Sequence, residues 1–235
     1  MSHWQRCTIN EIVFPVTMQD SDTYECRTKS TIMDAAERLF ASYGFEGTSL
    51  RTITAEAHAN LGAVNYHFTS KGGLIQAVLK RMFQPVNQER LRLLGELEIK
   101  AKGKPLEIEA ILDALFRPPV ELVSRGGNGA WNFPRLLAYC LTEPGSYLKP
   151  LVEEEFALKT QRFLAALQRA CPRLTKEEVR WRLQFSMGAY LHTVGNPQLL
   201  AVTTQEACTV DDPEEALRRI VGFCAAGFRT DITSV

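Results

Sequence analysis

Residues 48–71, Thr-Ser-Leu-Arg-Thr-Ile-Thr-Ala-Glu-Ala-His-Ala-Asn-Leu-Gly-Ala-Val-Asn-Tyr-His-Phe-Thr-Ser-Lys, gather side chains suited to gripping a nucleic-acid duplex. Gripping needs donors aimed at phosphates, and reading needs small or amide side chains that reach base edges. On a helix that starts after Asn60, the outward positions are Leu61, Gly62, Ala63, Asn65, Tyr66 and His67. Gly62 and Ala63 let the backbone approach a groove floor. Asn65 can bond an adenine edge twice, and Ala63 or Leu61 can meet a thymine methyl. Tyr66 and His67 can donate to phosphate, although a lone histidine can equally cap or pack locally. Thr48, Ser49 and Arg51 open the preceding helix, whose first backbone N–H groups add to phosphate capture. Lys71 stands in the first turn of a further helix and opposes its macrodipole, a cost of about 0.3–1 kcal/mol that a docked phosphate reverses.

Positioning these groups takes short, sharply jointed helices. Residues 28–44 space Ile32, Ala35, Ala36, Leu39, Phe40 and Tyr43 at the 3/4 interval of one apolar helical stripe, and Gly44 sits where a helix stops in the left-handed conformation. Thr48 or Ser49 caps a second helix with Leu50, Ile53 and Ala57 inward. Asn60 caps a third, pinned by Val64 and Phe68. Thr69 or Ser70 caps a fourth, with Leu74, Ile75, Val78, Leu79 and Met82 inward. A short helix, tight turn and second helix of this size fit a DNA major groove. Further helical patterns cover 85–102, 105–124, 130–142, 147–171, 175–195 and 213–229, separated by Gly and Pro punctuation such as Gly103–Pro105, Gly195–Pro197 and Asp211–Pro213. No period-two alternation reads as a strand, so the fold class is all-α.

The stretch 28–83 resembles the N-terminal domain of the TetR family of transcriptional regulators. Ala57, Asn60, Val64, His67, Phe68, Ser70, Lys71 and Leu74 meet the family pattern, and Val-Asn-Tyr-His-Phe-Thr-Ser-Lys (64–71) is its most specific part. Two positions depart from it. His58 stands where the turn glycine is usual, which predicts backbone strain. Asn65 replaces an aromatic residue, which turns a phosphate contact into a base contact. The resemblance implies a poorly structured N-terminal extension (1–26), a helix-turn-helix DNA-binding domain (27–83) and an all-helical effector-binding and dimerisation domain (84–235). It also implies a repressor that binds a palindromic operator as a homodimer. Phe-x-Arg-Leu-Leu (133–137), with the Ala-Val-Asn-Tyr-His-Phe run of the first domain, resembles the PsrA-like branch, which implies a fatty acid or acyl derivative as effector.

The second domain supports that division on its own residues. Helix 175–195 carries one stripe at Val179, Leu183, Met187, Tyr190 and Val194 and another at Trp181, Phe185, Gly188 and His192. Helix 213–229 likewise has Leu217, Ile220, Val221, Cys224 and Phe228, plus Ala216, Phe223 and Gly227. A helix apolar on two faces must bury both, one on its own core and one on a partner, which predicts a four-helix interface between two chains. The expected effector pocket draws on Phe116, Trp131, Phe133, Arg135, Leu137, Tyr139, Phe156, Phe163 and Phe185. Arg135, set in an apolar segment, either meets a carboxylate ligand or pairs with one of Glu153–Glu155.

Bulk properties limit the alternatives. With 45% hydrophobic and 23% charged residues, the chain can fill a real core. Net charge is zero, but residues 27–81 hold seven Lys/Arg against four acids, and residues 1–26 hold one Arg against four. That asymmetry suits a local phosphate-facing surface. No apolar run is long enough for a bilayer and Ile9–Val16 is no secretory signal, so a cytoplasmic protein without membrane contact is expected. Met18 is a candidate translation start. The six cysteines (7, 26, 140, 171, 208, 224) lack metal-ligand or disulfide spacing, and no cofactor is expected. The run Gly126–Gly129 has no phosphate-loop context and reads as a connection near the pocket mouth. A thiol redox regulator built on Cys140, Cys171 or Cys224 is the alternative reading. An all-α enzyme has no histidine pair, nucleophile elbow or metal spacing to support it.

Overall fold

The structure, a computed structural model, describes residues 18–124, 132–142 and 157–230. Every regular element among them is a helix: α1 (Met18–Tyr43), α2 (Leu50–Glu56), α3 (Leu61–Phe68), α4 (Lys71–Ala101), α5 (Ile108–Ser124), α6 (Asn132–Thr142), α7 (Ala157–Ala170), α8 (Lys176–Thr193), α9 (Pro197–Thr203) and α10 (Pro213–Arg229). Residues 18–26, assigned by the sequence to a poorly structured extension, are therefore helical. The predicted connection at Gly126–Gly129, the acids Glu153–Glu155, and the pocket candidates Trp131 and Phe156 lie outside the described residues.

Two apolar cores organise the chain. The first joins Ile32, Ala36 and Phe40 of α1, Ile53 of α2, Val64 and Phe68 of α3, and Leu74 and Val78 of α4. Tyr43, counted in the inward stripe of α1, is instead 66% exposed. Gly44 has φ 75° and donates its N–H to the Phe40 carbonyl (2.9 Å), the left-handed stop expected there. The second core joins Leu94, Ile111, Phe116, Phe163, Val179, Leu183, Leu217, Val221 and Phe228.

Helix α4 runs through both cores. The sequence reads as two helices here, a fourth one with Met82 as its last inward residue and a separate pattern over 85–102, and a proline inside a helix removes one ladder donor and crowds the preceding turn. The structure has one helix of 31 residues with Pro85 inside it. Phe83 and Val86, on either side of the proline, are both buried, and that packing carries the helix through the defect.

Two further elements differ from expectation. Helix α6 belongs with the first core: Phe133 packs edge-on to Phe83 (centroids 5.1 Å apart), Tyr139 lies 6.2 Å from Phe45, and Asn132 Nδ2 donates to Glu37 Oε1 at 3.2 Å. Helix α9 was read only as a break. Asn196 caps it by accepting from the Leu199 N–H (3.1 Å), and Pro197 takes the first helical position, which has no use for its missing donor. The flanking helices start as their sequences suggest. Thr175 and Glu178 form a reciprocal capping box on α8, and Asp212 accepts from the N–H groups of Glu214 and Glu215 on α10.

Candidate nucleic-acid interface

Three side chains fix the joints of the first domain. Ser49 accepts from the Thr52 N–H (3.1 Å), Asn60 from the Ala63 N–H (2.7 Å) and Ser70 from the Gly73 N–H (3.1 Å), so each of α2, α3 and α4 opens on its own cap. Helix α2 ends in a Schellman motif: Ala59 N–H donates to the Thr54 carbonyl at 2.9 Å, and His58 N–H to that of Ala55 at 3.3 Å. That motif needs a left-handed residue, and His58 supplies it at φ 49°. The strain expected there is present. Thr69, between α3 and α4, is a second strained position with φ 67°, and its β-branch makes the conformation more costly still. At Gly73 any Cβ would lie 2.0 Å from the Phe68 carbonyl oxygen, so this close approach of α4 to the end of α3 admits only glycine.

The caps and turns leave one face outward. Leu61 (45%) and Tyr66 (72%) are exposed, as are Gly62, Asn65, Ser49 and Arg51; Ala63, His67 and Lys71 are half-buried. Lys71 is the first residue of α4, at the positive end of the helix, as anticipated. His67 packs locally, its ring edge-on to Tyr66 at 5.0 Å. Thr48 must be removed from the set of phosphate contacts. It is 2% exposed, and its hydroxyl donates to the Gly44 and Leu39 carbonyls (2.9 and 3.2 Å), where it ties the α1–α2 turn. Three residues that the sequence did not single out, Arg27, Thr28 and Thr31 of α1, line a cleft of about 290 Å³ with His58 and Asn60, beside the start of α3. The signal was the basic pair Arg27 and Lys29 ahead of the apolar stripe.

Charge is segregated within this domain. Arg81 bonds Asp34 and Glu37 (both 2.7 Å), and Arg38 bonds Glu56 (3.1 Å), so three of its four acids are engaged by arginines. Arg51 and Lys71 form no ion pair among the described residues.

The expected pocket residues do not form one group. Phe116 and Phe163 are fully buried in the second core, Phe116 stacked on Tyr190 with centroids 4.8 Å apart. Phe133, Leu137 and Tyr139 pack on the first core through α6. Arg135 is exposed, so it is not the buried cation its apolar neighbours suggested: on α6 it projects away from Phe133 and Leu136, which take the inward positions. Phe185 is 63% exposed and stacks on Trp181 at 5.8 Å, which removes it from any interior pocket.

That outward position belongs to the second stripe of α8. Trp181 (57%), Phe185 and, on α10, Phe223 (71%) are exposed, whereas the first stripe of each helix is in the core. Arg182 Nη1 donates to the carbonyls of Gly227 and Thr230 (2.7 and 2.8 Å), joining α8 to the end of α10. The cysteines offered for redox sensing, Cys140, Cys171 and Cys224, are buried, and burial pushes the thiols of Cys171 and Cys224 upward, away from the reactive thiolate.

Two capped helices joined by a Schellman turn, on a small α-domain followed by a larger helical one, define a helix-turn-helix regulator. Residues 32–78 match the family described as bacterial regulatory proteins, tetR family, and residues 113–227 match the tetracyclin repressor-like C-terminal domain. The chain belongs to the TetR family, whose members are DNA-binding transcription factors and not enzymes. It is 36% identical over 74 residues to the nicotine-responsive transcriptional repressor HdnoR of Paenarthrobacter nicotinovorans (31% of this chain, 38% of that protein). It is 32% identical over 71 residues to the transcriptional repressor NicS of Pseudomonas putida (30% and 34%). The chain thus spans little more than a third of the length of these relatives. Among solved structures, the hemolysin II regulator HlyIIR superposes with TM-score 0.53 at 17% identity, over 85% of this chain and 97% of that one. A transcriptional regulator from Aquifex aeolicus VF5 superposes with TM-score 0.51 at 22% identity, over 83% and 98%. Among the described residues no helix is long and apolar enough to cross a membrane.

Proposed function

We propose that this protein is an effector-responsive transcriptional repressor that binds a palindromic operator as a homodimer. The observation that carries the reading is the outward face of α3, where Asn65 and Tyr66 stand exposed between the capped starts of α2 and α4. Asn65 reads a base edge. Tyr66, Arg51, Lys71 and the helix starts hold phosphates, with Arg27 and Thr31 reaching the neighbouring strand from α1. Trp181, Phe185 and Phe223 of α8 and α10 meet their counterparts in the second subunit, because solvent-exposed aromatics on adjacent helices need a partner.

The two readers must stand about 34 Å apart to enter successive major grooves on one face of DNA. Helix α4 runs from Lys71 at the DNA face into the second core, and α6 braces the first core from the side. A small apolar or amphipathic effector, a fatty acid or acyl derivative, binds between α4, α5, α6 and α8. It favours an arrangement in which the readers no longer match that spacing, and operator affinity falls through its unequal affinity for the two states. Nuclease footprinting of the upstream DNA, with sizing of the complex, tests this reading. Two protected half-sites bound by two chains are expected, and a single protected site bound by one chain would overturn it.

A further inference from the structure

Towards the C-terminal end of α4, the second domain carries a surface groove that neither the operator face nor the effector reading uses. Helices α4, α7 and α8 enclose about 650 Å³ there. Leu164 of α7 and the buried Val179 of α8 give it an apolar floor, and Arg162, Arg169, Lys176 and Arg180 line it with positive charge. Among the described residues one carboxylate lines it, Glu98 of α4. Arg162 and Arg169 share that one group, Arg169 Nη2 donating to Glu98 Oε1 at 3.0 Å. Lys176 and Arg180 are exposed and form no ion pair among the described residues. Arg117 of the same domain, by contrast, meets both Asp113 and Glu214.

Four cations around one carboxylate repel one another, and an anionic occupant relieves that repulsion. Lys176 is also the first residue of α8, at the positive end of the helix dipole. Of the two acids in that turn, Glu178 is committed to the Thr175 cap and Glu177 does not line the groove. The charge is drawn out rather than gathered at a point. Arg162 and Arg169 lie about 10 Å apart along the axis of α7, and Lys176 and Arg180 about 6 Å apart along α8. One compact anion does not reach all four, whereas a chain that bears several carboxylates does. The apolar floor calls for hydrophobic side chains on that same chain. Glu98 lies about 40 Å along α4 from Lys71, which sets the groove apart from the operator face.

We propose that this groove docks an acidic, amphipathic segment of a partner protein. Carboxylates of the segment meet Lys176, Arg180 and Arg169, and its apolar side chains rest on Leu164 and Val179. The charge complementarity selects the partner: the groove is cationic along its length, and a neutral segment gains nothing from Lys176 and Arg180. The inference adds a protein partner to the DNA and effector readings and depends on neither.

The test uses the full chain and a labelled amphipathic peptide built from Glu and Leu, compared with the same peptide carrying Gln at every Glu. Binding is read by fluorescence anisotropy at physiological salt. The acidic peptide should bind about tenfold or more tightly than its amide counterpart. Lys176→Glu combined with Arg180→Glu should remove that preference, with helical content unchanged by circular dichroism, and Lys176→Arg should keep it. Lys71→Ala should leave peptide binding as it is, because Lys71 belongs to the operator face. The ratio of acidic to amide peptide needs no variant, so a misfolded double substitution leaves the test intact. Equal affinity for the two peptides, or an unchanged ratio in the folded double variant, would overturn the proposal. Loss of peptide binding in Lys71→Ala would move the peptide to the operator face and overturn it too. Displacement of the peptide by equimolar citrate, or by an equimolar random-sequence duplex, would give the groove to a small anion or to nucleic acid instead. Self-association that the double substitution abolishes would give it to a second copy of this chain.

Discussion

Phe116 of α5 and Tyr190 of α8 stack face to face, their planes 5° from parallel, with both rings buried. This pair welds the central helix of the second core to one of the helices that carries the exposed aromatic face. Removing one ring leaves a cavity that rigid neighbours cannot fill. Phe116→Ala should lower unfolding free energy by about 3–5 kcal/mol, measured by denaturant titration. A loss below about 1 kcal/mol would mean that the stack is not part of a packed core.

His58 occupies a left-handed position that glycine adopts without steric cost. Replacing it removes a penalty of about 1–2 kcal/mol and restores part of it as extra freedom in the unfolded chain. His58→Gly should therefore stabilise the protein by about 0.5–1 kcal/mol, seen as a higher denaturant midpoint at constant slope, with operator affinity retained. A lower midpoint would show that the imidazole makes a compensating contact.

Lys71 and Asn65 should fail in different ways. Lys71→Ala frees one phosphate in each half-site, so it should weaken all duplexes alike and reduce the salt slope of binding by about one for each phosphate no longer held. Asn65→Ala should cost about 1–3 kcal/mol at one base pair of each half-site and leave the salt slope unchanged. Binding-site selection on both variants separates them; identical base profiles for wild type and Asn65→Ala would refute base reading at that residue.

The exposed aromatics give a prediction about assembly. Phe223→Glu or Phe185→Glu places a charge on an apolar face that must be desolvated twice in a symmetric dimer. Each should weaken self-association by about 2 kcal/mol or more, with helical content unchanged by circular dichroism. Sedimentation velocity over a concentration series gives the answer, and an unchanged profile would remove this face from the interface.

Cysteine chemistry separates ligand control from thiol control. Cys26 and Cys208 are exposed, whereas Cys171 and Cys224 are buried and pushed away from the thiolate. Brief alkylation of native protein at neutral pH should label the first two, and the buried pair should react only after unfolding. Rapid labelling of Cys171 or Cys224 in the folded state would revive the redox reading.

Much of the DNA-facing module was legible in sequence because its signals are local. Ser49, Asn60 and Ser70 each sit just ahead of an apolar stripe and satisfy backbone donors within three residues. Thr48 could not be told from Ser49 on that basis, since its burial depends on the Gly44 and Leu39 carbonyls across the turn. The effector domain was less legible because its contacts are between distant segments. Arg135 lies among apolar residues in sequence and outside them in space. Arg90 is hidden when the helix is divided between the stripe ending at Met82 and the pattern over 85–102. Once α4 is continuous, Phe83, Val86, Asn87, Arg90 and Leu94 form one buried stripe with two polar members, and that anomaly is readable. Helix α6 fell in the second domain by position, and only its packing on Phe83 and Phe45 assigns it to the first core.

The account depends most directly on two copies of α3 reading one operator. Footprinting of a purified dimer, repeated as monovalent salt is raised, measures this. The result predicted is a pair of protected major-groove segments about 34 Å apart along the axis, lost together and steeply with salt. Protection of one isolated segment, or binding indifferent to salt, would contradict it.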